Sequence, residues 1–419
     1  MPQPPVIPLY LALGVIILAA RVGGSLARRF NQPRVLGELI VGVLLGPTLI
    51  DLLHTSLFGL EQAHLEETVG ELAELGVLLL MFKVGLDVHI NELLKVGLVG
   101  VIAGVIGAVL PVAITFPVVL AAGYTTAAAL FAGVTLAATS VSISAQVLLE
   151  LDILQTRVGS ALLATALIDD VVAILLVSFV LAFTDPGAQT VDAGSLLRIA
   201  AAMTAYLVGA WALAWFALPR LINRMSRMTD VAQSYGIPAF ALIFVLLFGW
   251  SAEYFGGVAA ITGAFIAGVG LSRVHETARR QIEVAVSNIA YAFLVPIFFV
   301  SVGLHIDLSA FPLSALPFAA LILVIAVLTK VVGCGAGARL GGFSSGESFR
   351  LGVCMVSRGE VGLIIAALGV SAGALDAGEP LFSTLFLVIL LTTVLTPPLV
   401  RTVFQRSQQR AKEAETWQS

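Results

Sequence analysis

The sequence predicts an all-α polytopic membrane protein, on three grounds: its composition, its recurring apolar stretches and the placement of its basic residues. Hydrophobic residues make up 59% of the 419 and charged residues only 11%, against about a quarter charged in soluble domains. A chain this apolar has too little polar surface to cover itself in water. Its forty glycines suit the close approach of transmembrane helices. A net charge of −4 gives no basic surface for nucleic acid. Cys334 and Cys354 fall inside apolar segments, so neither a disulfide framework nor a metal-ligand pattern is expected.

A helix needs about 20 apolar residues to span the hydrocarbon. About thirteen such stretches can be marked: 6–27, 34–53, 71–87, 93–121, 125–149, 157–184, 196–218, 235–254, 256–272, 285–304, 312–338, 348–372 and 380–403. The fourth carries Pro111 and Pro117 and is expected to kink or end early. The ninth is short and rich in Gly and Ala. Residues 1–403 thus form a single transmembrane unit, followed by a short cytoplasmic tail over 404–419.

Basic residues set the orientation. With the N-terminus outside, the inner loops hold Arg28, Arg29, Arg34, Lys95, Arg157, Arg220, Arg224, Arg227, Arg273, Arg279, Arg280, Arg339 and Arg350. The outer loops hold Arg198 alone, beside Asp51, Glu61, Glu66, Glu67, Asp185, Asp192, Asp376 and Glu379. The tail, with Arg401, Arg406, Arg410 and Lys412, is then cytoplasmic. The first segment lacks a positive leader, so no cleavable signal is expected.

A faint repeat runs along the chain. Val84-Gly85-Leu86 ends the third span and Val302-Gly303-Leu304 the tenth. Leu39-Ile40-Val41-Gly42 in the second resembles Ala260-Ile261-Thr262-Gly263 in the ninth. Both matches lie seven spans apart. An odd offset inverts the second copy, as in the inverted repeats of secondary transporters.

Charges at membrane depth cost ~2.5–3.5 kcal/mol on insertion scales, so each is read first as functional. Asp169 and Asp170 sit side by side in the sixth span. Asp169 comes twelve residues after Arg157, which at the helical rise is about 18 Å from the inner end. Neighbouring residues point ~100° apart, so the two carboxylates serve different partners. Lys330 precedes Arg339 by nine residues, about 14 Å from the same face, so an ion pair with one of them is allowed. Such a lysine and carboxylate are poised to exchange protons.

Thr139-Ser140-Val141-Ser142-Ile143-Ser144 interrupts the fifth span with hydroxyls. Broken helices expose backbone carbonyls at transporter sites, and with a carboxylate these oxygens suit a hard cation such as sodium. Seven spans on, Ser357-Arg358-Gly359-Glu360 places a second charged pair deep in the twelfth. The equivalent repeat positions predict that both spans are broken and cross. Arg358 and Glu360 are then expected to compensate helix-end dipoles and each other. Glu38 either lines an inner funnel or sits at the interface, while Lys83 and Asp87 read as anchors. Gly100 and Gly104 fit GxxxG packing within the chain.

Asp169-Asp170, Lys330 in its Thr-Lys-Val-Val-Gly setting, the Thr-Ser break and Ser-Arg-Gly-Glu together resemble the monovalent cation/proton antiporter 2 family. The likeness is nearest to NapA-type sodium/proton antiporters and runs over essentially the whole chain. It implies the NhaA/NapA-like fold and a homodimer in lipid that works by elevator-type alternating access. The dimerisation domain would come from helices near 6–53 and 196–272, and the core transport domain from helices near 71–184 and 285–403. Asp170 would be the main cation- and proton-binding carboxylate, Asp169 the partner of Lys330, and Thr139 and Ser140 neighbours of the site. The same likeness implies electrogenic exchange of Na⁺, and of Li⁺ as well, for protons in pH homeostasis at a plasma membrane. No enzyme activity, cofactor or resident metal is implied, the transported Na⁺ and H⁺ being substrates. No nucleotide-binding regulatory domain follows the last span, which favours sodium over the alternative, a K⁺/H⁺ antiporter of the same family. Three rivals are an intramembrane aspartyl protease, a cation channel and a non-transporting sensor. The first needs aspartates facing each other from different helices, which Asp169 and Asp170 cannot do.

Overall fold

The computed structural model describes residues 6–53, 63–88, 95–184, 193–226, 235–304, 311–376 and 379–416, and all regular structure among them is helical. In chain order the helices are α1 Val6–Arg29, α2 Arg34–Leu45, α3 Ala63–Asp87, α4 Gly97–Ala121, α5 Thr126–Ala137, α6 Val141–Glu150, α7 Arg157–Thr184 and α8 Ala193–Met225. Then follow α9 Gly236–Tyr254, α10 Ala260–Leu271, and α11 Glu276–Ile289, which runs through a π-helical turn, Ala290–Leu294, into α12 Val295–Leu304. The last are α13 Leu316–Leu340, α14 Ser345–Cys354, α15 Glu360–Ser371 and α16 Pro380–Thr416. Among the described residues nine helical stretches are long and apolar enough to cross a membrane, and Ala260–Leu271 and Val361–Ser371 are shorter apolar helices. Leu18, Val208, Leu328 and Ile364 are each more than half exposed, an outer surface that only lipid or another apolar partner covers without cost. The chain is a multi-pass helical membrane protein.

Three elements differ from their sequence outlines. Helix α4 runs unbroken through Pro111 and Pro117, because neighbouring helices in a membrane bundle re-satisfy the backbone groups that proline frees. Helix α2 stops at Leu45, ahead of Gly46-Pro47, and the Gly46 carbonyl gathers the N–H groups of Leu49, Ile50 and Asp51 in a tight turn. Helix α16 continues to Thr416, since the tail is built largely of Arg, Gln, Lys, Ala and Glu, all favourable in helices.

The chain divides into two compact units, residues 1–21, 41–91 and 190–305 in the first and 22–40, 92–189 and 306–419 in the second. The stretches 71–87 and 285–304, grouped above with the core domain, lie in the first unit with 196–272. Compactness alone assigns neither unit a role.

In the first unit the repeat is visible as a pair of matching contacts. Gly42 packs on Val300 and Gly303, where a Cβ would stand 2.9 Å from the Gly303 Cα; Gly268 packs on Phe82 and Gly85, where it would stand 3.0 Å from the Gly85 Cα. Gly303 and Gly85 are the glycines of the two Val-Gly-Leu motifs, and Val300 and Phe82 each lie three residues before them. The contacts therefore align Gly42 with Gly268, not with Gly263. In that register Gly37, Ile40 and Gly42 match Gly263, Ile266 and Gly268. Lys83 and Asp87 join α3 to its neighbour: Lys83 Nζ donates to Asp87 Oδ1 at 2.6 Å and to Glu283 Oε1 on α11 at 2.9 Å. Arg279 Nη2 adds a bond to the Leu86 carbonyl at 3.1 Å.

The second unit holds α4 to α7 and α13 to α16. Its apolar core joins Phe131 and Leu136 of α5 to Ile322 of α13, Ile365 of α15 and Leu385 and Val388 of α16. At the start of α14, Ser344 and Glu347 form a capping box, with Arg157 Nη1 3.5 Å from Glu347 Oε1.

Gly268→Val forces a side chain into the α3–α10 contact and should cost about 1–3 kcal/mol, as overpacking typically does. Gly209→Ala in α8, with nothing within 4 Å of the added atom, should gain about 0.5–1 kcal/mol; thermal unfolding of the purified proteins reads both. Burial pushes the Glu347 carboxyl up, but hydrogen bonds from Ser344 and the charges of Arg157 and Arg350 outweigh it and hold it below its ordinary value of 4.5. A depressed carboxylate adds stability that is complete above the unfolded value and lost as pH falls through the folded one. Glu347→Gln should therefore be less stable than wild type at pH 7 and equal to it in acid below that range, by thermal melts across pH.

Candidate functional site

The site forms where the two broken stretches of the second unit meet. Helix α5 ends at Ala137, Ala138 to Ser140 are extended, and α6 begins at Val141. Helix α14 ends at Cys354, and α15 begins at Glu360 after Gly359. The breaks bind each other. Ser140 N–H donates to the Ser357 carbonyl at 3.0 Å, and Ser357 Oγ donates back to the Ser140 carbonyl at 2.6 Å. Ser144 Oγ donates to the Cys354 carbonyl at 2.5 Å, covering an end of α14 that the helix leaves open.

Arg358 is completely buried. Its Nη2 reaches the Leu136 carbonyl at 2.8 Å and the Ala326 carbonyl at 2.9 Å, and its Nη1 reaches the Val356 carbonyl at 2.5 Å. Leu136 lies in the last turn of α5, so the guanidinium sits at the negative end of that half-helix. Thr393 Oγ1 on α16 donates to the Arg358 carbonyl. The expected dipole compensation is present for Arg358. The Glu360 side chain lies outside the described residues, so its expected pairing with Arg358 does too.

Asp169 and Lys330 are brought together across α4. Glycines on α4 let both flanking helices approach: a Cβ on Gly104 would stand 2.8 Å from Ile168 Cβ and 2.9 Å from the Thr165 carbonyl of α7. A Cβ on Gly107 would run into Cys334 Sγ of α13. The Gly100–Gly104 spacing therefore serves packing within the chain. With α7 and α13 both seated on α4, Lys330 Nζ donates to Asp169 Oδ1 at 2.7 Å, the two side chains being 0% and 1% exposed. Asp170, about 100° further round α7, is half-buried. Thr139 and Ser140 are buried at the first break. Ser140 Oγ and Ser142 Oγ lie 3.0 Å apart, while Thr139 Oγ1 has no hydrogen-bond partner among the described residues. Asp169 Oδ2 has none either. Orphaned acceptors this deep are costly unless a ligand or proton meets them.

Sequence reasoning missed several contributors. Ser144 and Ser357 stood in the quoted motifs, but their carbonyl partners carry no side-chain signature. Glu38 is buried. Nearby, the Arg34 N–H at the start of α2 donates to Glu150 Oε2 at 2.7 Å, and Gln146 Nε2 donates to Glu150 Oε1 at 3.2 Å. This polar face runs along α6 from the break and was not anticipated.

Crossed broken helices beside a buried carboxylate–lysine pair are the build of a secondary transporter. The family described as sodium/hydrogen exchanger, transmembrane, matches residues 14–406, and the chain belongs to it. A Na⁺/H⁺-K⁺ antiporter of Bacillus cereus, GerN, is 34% identical over 97% of this chain and 99% of its own. A Na⁺/H⁺ antiporter of Enterococcus hirae is 33% identical over 93% of this chain and 96% of its own. The solved sodium proton antiporter MjNhaP1 of Methanocaldococcus jannaschii superposes with a TM-score of 0.68 at 17% identity, covering 94% of this chain and 96% of that one; at that identity it shows a shared fold.

The pair predicts its own double variant. Lys330→Met leaves a buried carboxylate unpaired and should cost about 3–5 kcal/mol, whereas removing both charges often costs far less. Lys330→Met with Asp169→Asn should recover most of the loss, and thermal stability of the four proteins in detergent closes the cycle.

Proposed function

We propose that this chain is a Na⁺/H⁺ antiporter, with Li⁺ as an alternative cation. The observation that carries the reading is the Lys330–Asp169 pair, buried beside crossed broken helices in a chain of the exchanger family. Asp170 is the carboxylate that cation and protons compete for, with Thr139 and Ser140 beside it. Protonation on one side releases the cation, and deprotonation on the other recaptures it. Lys330 holds Asp169 while the site is empty of cation, and cation arrival releases the lysine. Two carboxylates and a lysine support electrogenic exchange, with more protons than cations moved per cycle.

In this reading the chain makes thirteen crossings, N-terminus outside and C-terminus in the cytoplasm. Two copies associate in a plasma membrane, and the unit bearing Asp169 moves as a body, elevator fashion, against a dimerisation domain. Its physiological work is pH homeostasis; it catalyses no bond chemistry and uses no cofactor. Potassium is a second reading, favoured by the Na⁺/H⁺-K⁺ description of GerN.

Purified protein in liposomes with an internal pH dye should respond to added Na⁺ with a pH change that rises with external pH, because carboxylates must ionise before they bind the cation. Asp170→Asn should abolish the response. A response to K⁺ alone moves the chain to the second reading, and no cation response from folded protein sinks both.

A further inference from the structure

Threonine inside a helix commonly returns its hydroxyl to a carbonyl one turn back, and several threonines here do so. Thr204, Thr329, Thr392, Thr396 and Thr402 donate to the carbonyls of Ala200, Ile325, Val388, Thr392 and Pro398 at 2.6–2.8 Å. Thr115, Thr135, Thr384 and Thr165, in the middle of α7, do not, and of these four only Thr165 has a carboxylate residue one turn further along its helix. Thr165 is 0% exposed, and its Oγ1 has no hydrogen-bond partner among the described residues. Asp169 lies four residues further along, on the same face of the helix. Helical side chains lean toward the N-terminus and cover the turn before their own Cα, so the Asp169 carboxylate leans over Thr165. Of its two oxygens, Oδ1 is held by Lys330 and Oδ2 is without a partner among the described residues. Two orphaned oxygens thus belong to residues one turn apart on one face, on the helix whose Thr165 backbone seats closely against Gly104.

We propose that Thr165 Oγ1 and Asp169 Oδ2 together are ligands for the transported monovalent cation, on the side of Asp169 away from Lys330. This rests on the antiport reading above and extends its site one helical turn beyond the aspartate pair. Hard cations take carboxylate and neutral oxygens in combination. A hydroxyl whose lone pairs are not committed to its own helix is free to face one. The lysine and the cation then hold opposite oxygens of one carboxylate.

The experiment compares wild type, Thr165→Val and Thr165→Ser. Valine keeps the shape and deletes the hydroxyl; serine keeps the hydroxyl. In liposomes at fixed pH, Thr165→Val should raise the half-saturating Na⁺ concentration by about fivefold or more, the scale of one lost polar contact. Its maximal rate should stay within about twofold, a binding loss and not a loss of turnover, and Thr165→Ser should return to wild type. In detergent, NaCl against choline chloride should stabilise wild type and Thr165→Ser to heat and Thr165→Val less, because a ligand stabilises the state that binds it. A wild type that exchanges nothing but shows this pattern of stabilisation keeps the site and ends the antiport reading. Thr165→Val with wild-type half-saturation and stabilisation, or a defect that serine fails to rescue, overturns the proposal.

Discussion

The second unit depends on one interaction, the Lys330–Asp169 pair, and on the packing that makes it affordable. In water a lysine and a carboxylate gain little from each other; in a low-dielectric interior they attract strongly, but only after each has surrendered its hydration. With side-chain exposures of 0% and 1%, neither partner retains water to fall back on. The pair exists because α7 and α13 are both pressed onto α4, and they can be pressed there because Gly104 and Gly107 present no side chain. Small residues in α4 thereby set the distance between charges on two other helices. The same desolvation makes the pair responsive: anything that competes for Asp169 alters the state of a lysine with nowhere else to discharge.

The two breaks solve a second problem, which is backbone. Interrupting a helix inside a membrane strands carbonyl and amide groups that no water can satisfy. Each break supplies what the other lacks. Arg358, from the second, covers the Leu136 carbonyl at the end of α5, and Ser144, beyond the first, covers the Cys354 carbonyl at the end of α14. Ser140 and Ser357 then exchange hydrogen bonds across the crossing. Neither break satisfies its backbone groups alone. Thr393 holding the Arg358 carbonyl extends that dependence to α16.

Much of this was legible because helical rise is regular. Counting residues from Arg157 and Arg339 put Asp169 and Lys330 at similar depths, and they meet at 2.7 Å. The hydroxyl run at Thr139–Ser144 marked the first break because Ser and Thr compete with the helix for backbone groups. What was not legible involves partners without identity in a sequence. Arg358 binds carbonyls, which every residue carries, so its role as a cap for α5 had only a dipole argument behind it. The repeat was detected but misregistered, since short glycine-rich strings align in several ways and only the Gly42–Gly303 and Gly268–Gly85 contacts choose among them. The prolines of α4 were misleading for a related reason: rules learned from isolated helices omit what neighbours in a bundle re-satisfy.

The orphaned oxygens divide the buried polar groups of the second unit into two kinds. Ser140, Ser144, Ser357 and Arg358 are saturated by backbone and by one another, which suits parts whose work is to hold shape. Nine buried side-chain oxygens have no partner among the described residues, and three of them, Asp169 Oδ2, Thr139 Oγ1 and Thr165 Oγ1, lie on the aspartate helix or at the first break. A fold selected for stability alone would replace such atoms with methyl groups, as valine would at either threonine. Beside the aspartates such atoms bring carboxylate and hydroxyl oxygens together, the donor set that hard cations take. The hydrogen-bonded set builds the crossing, and in the proposed function the cation and its protons compete at the aspartates beside it.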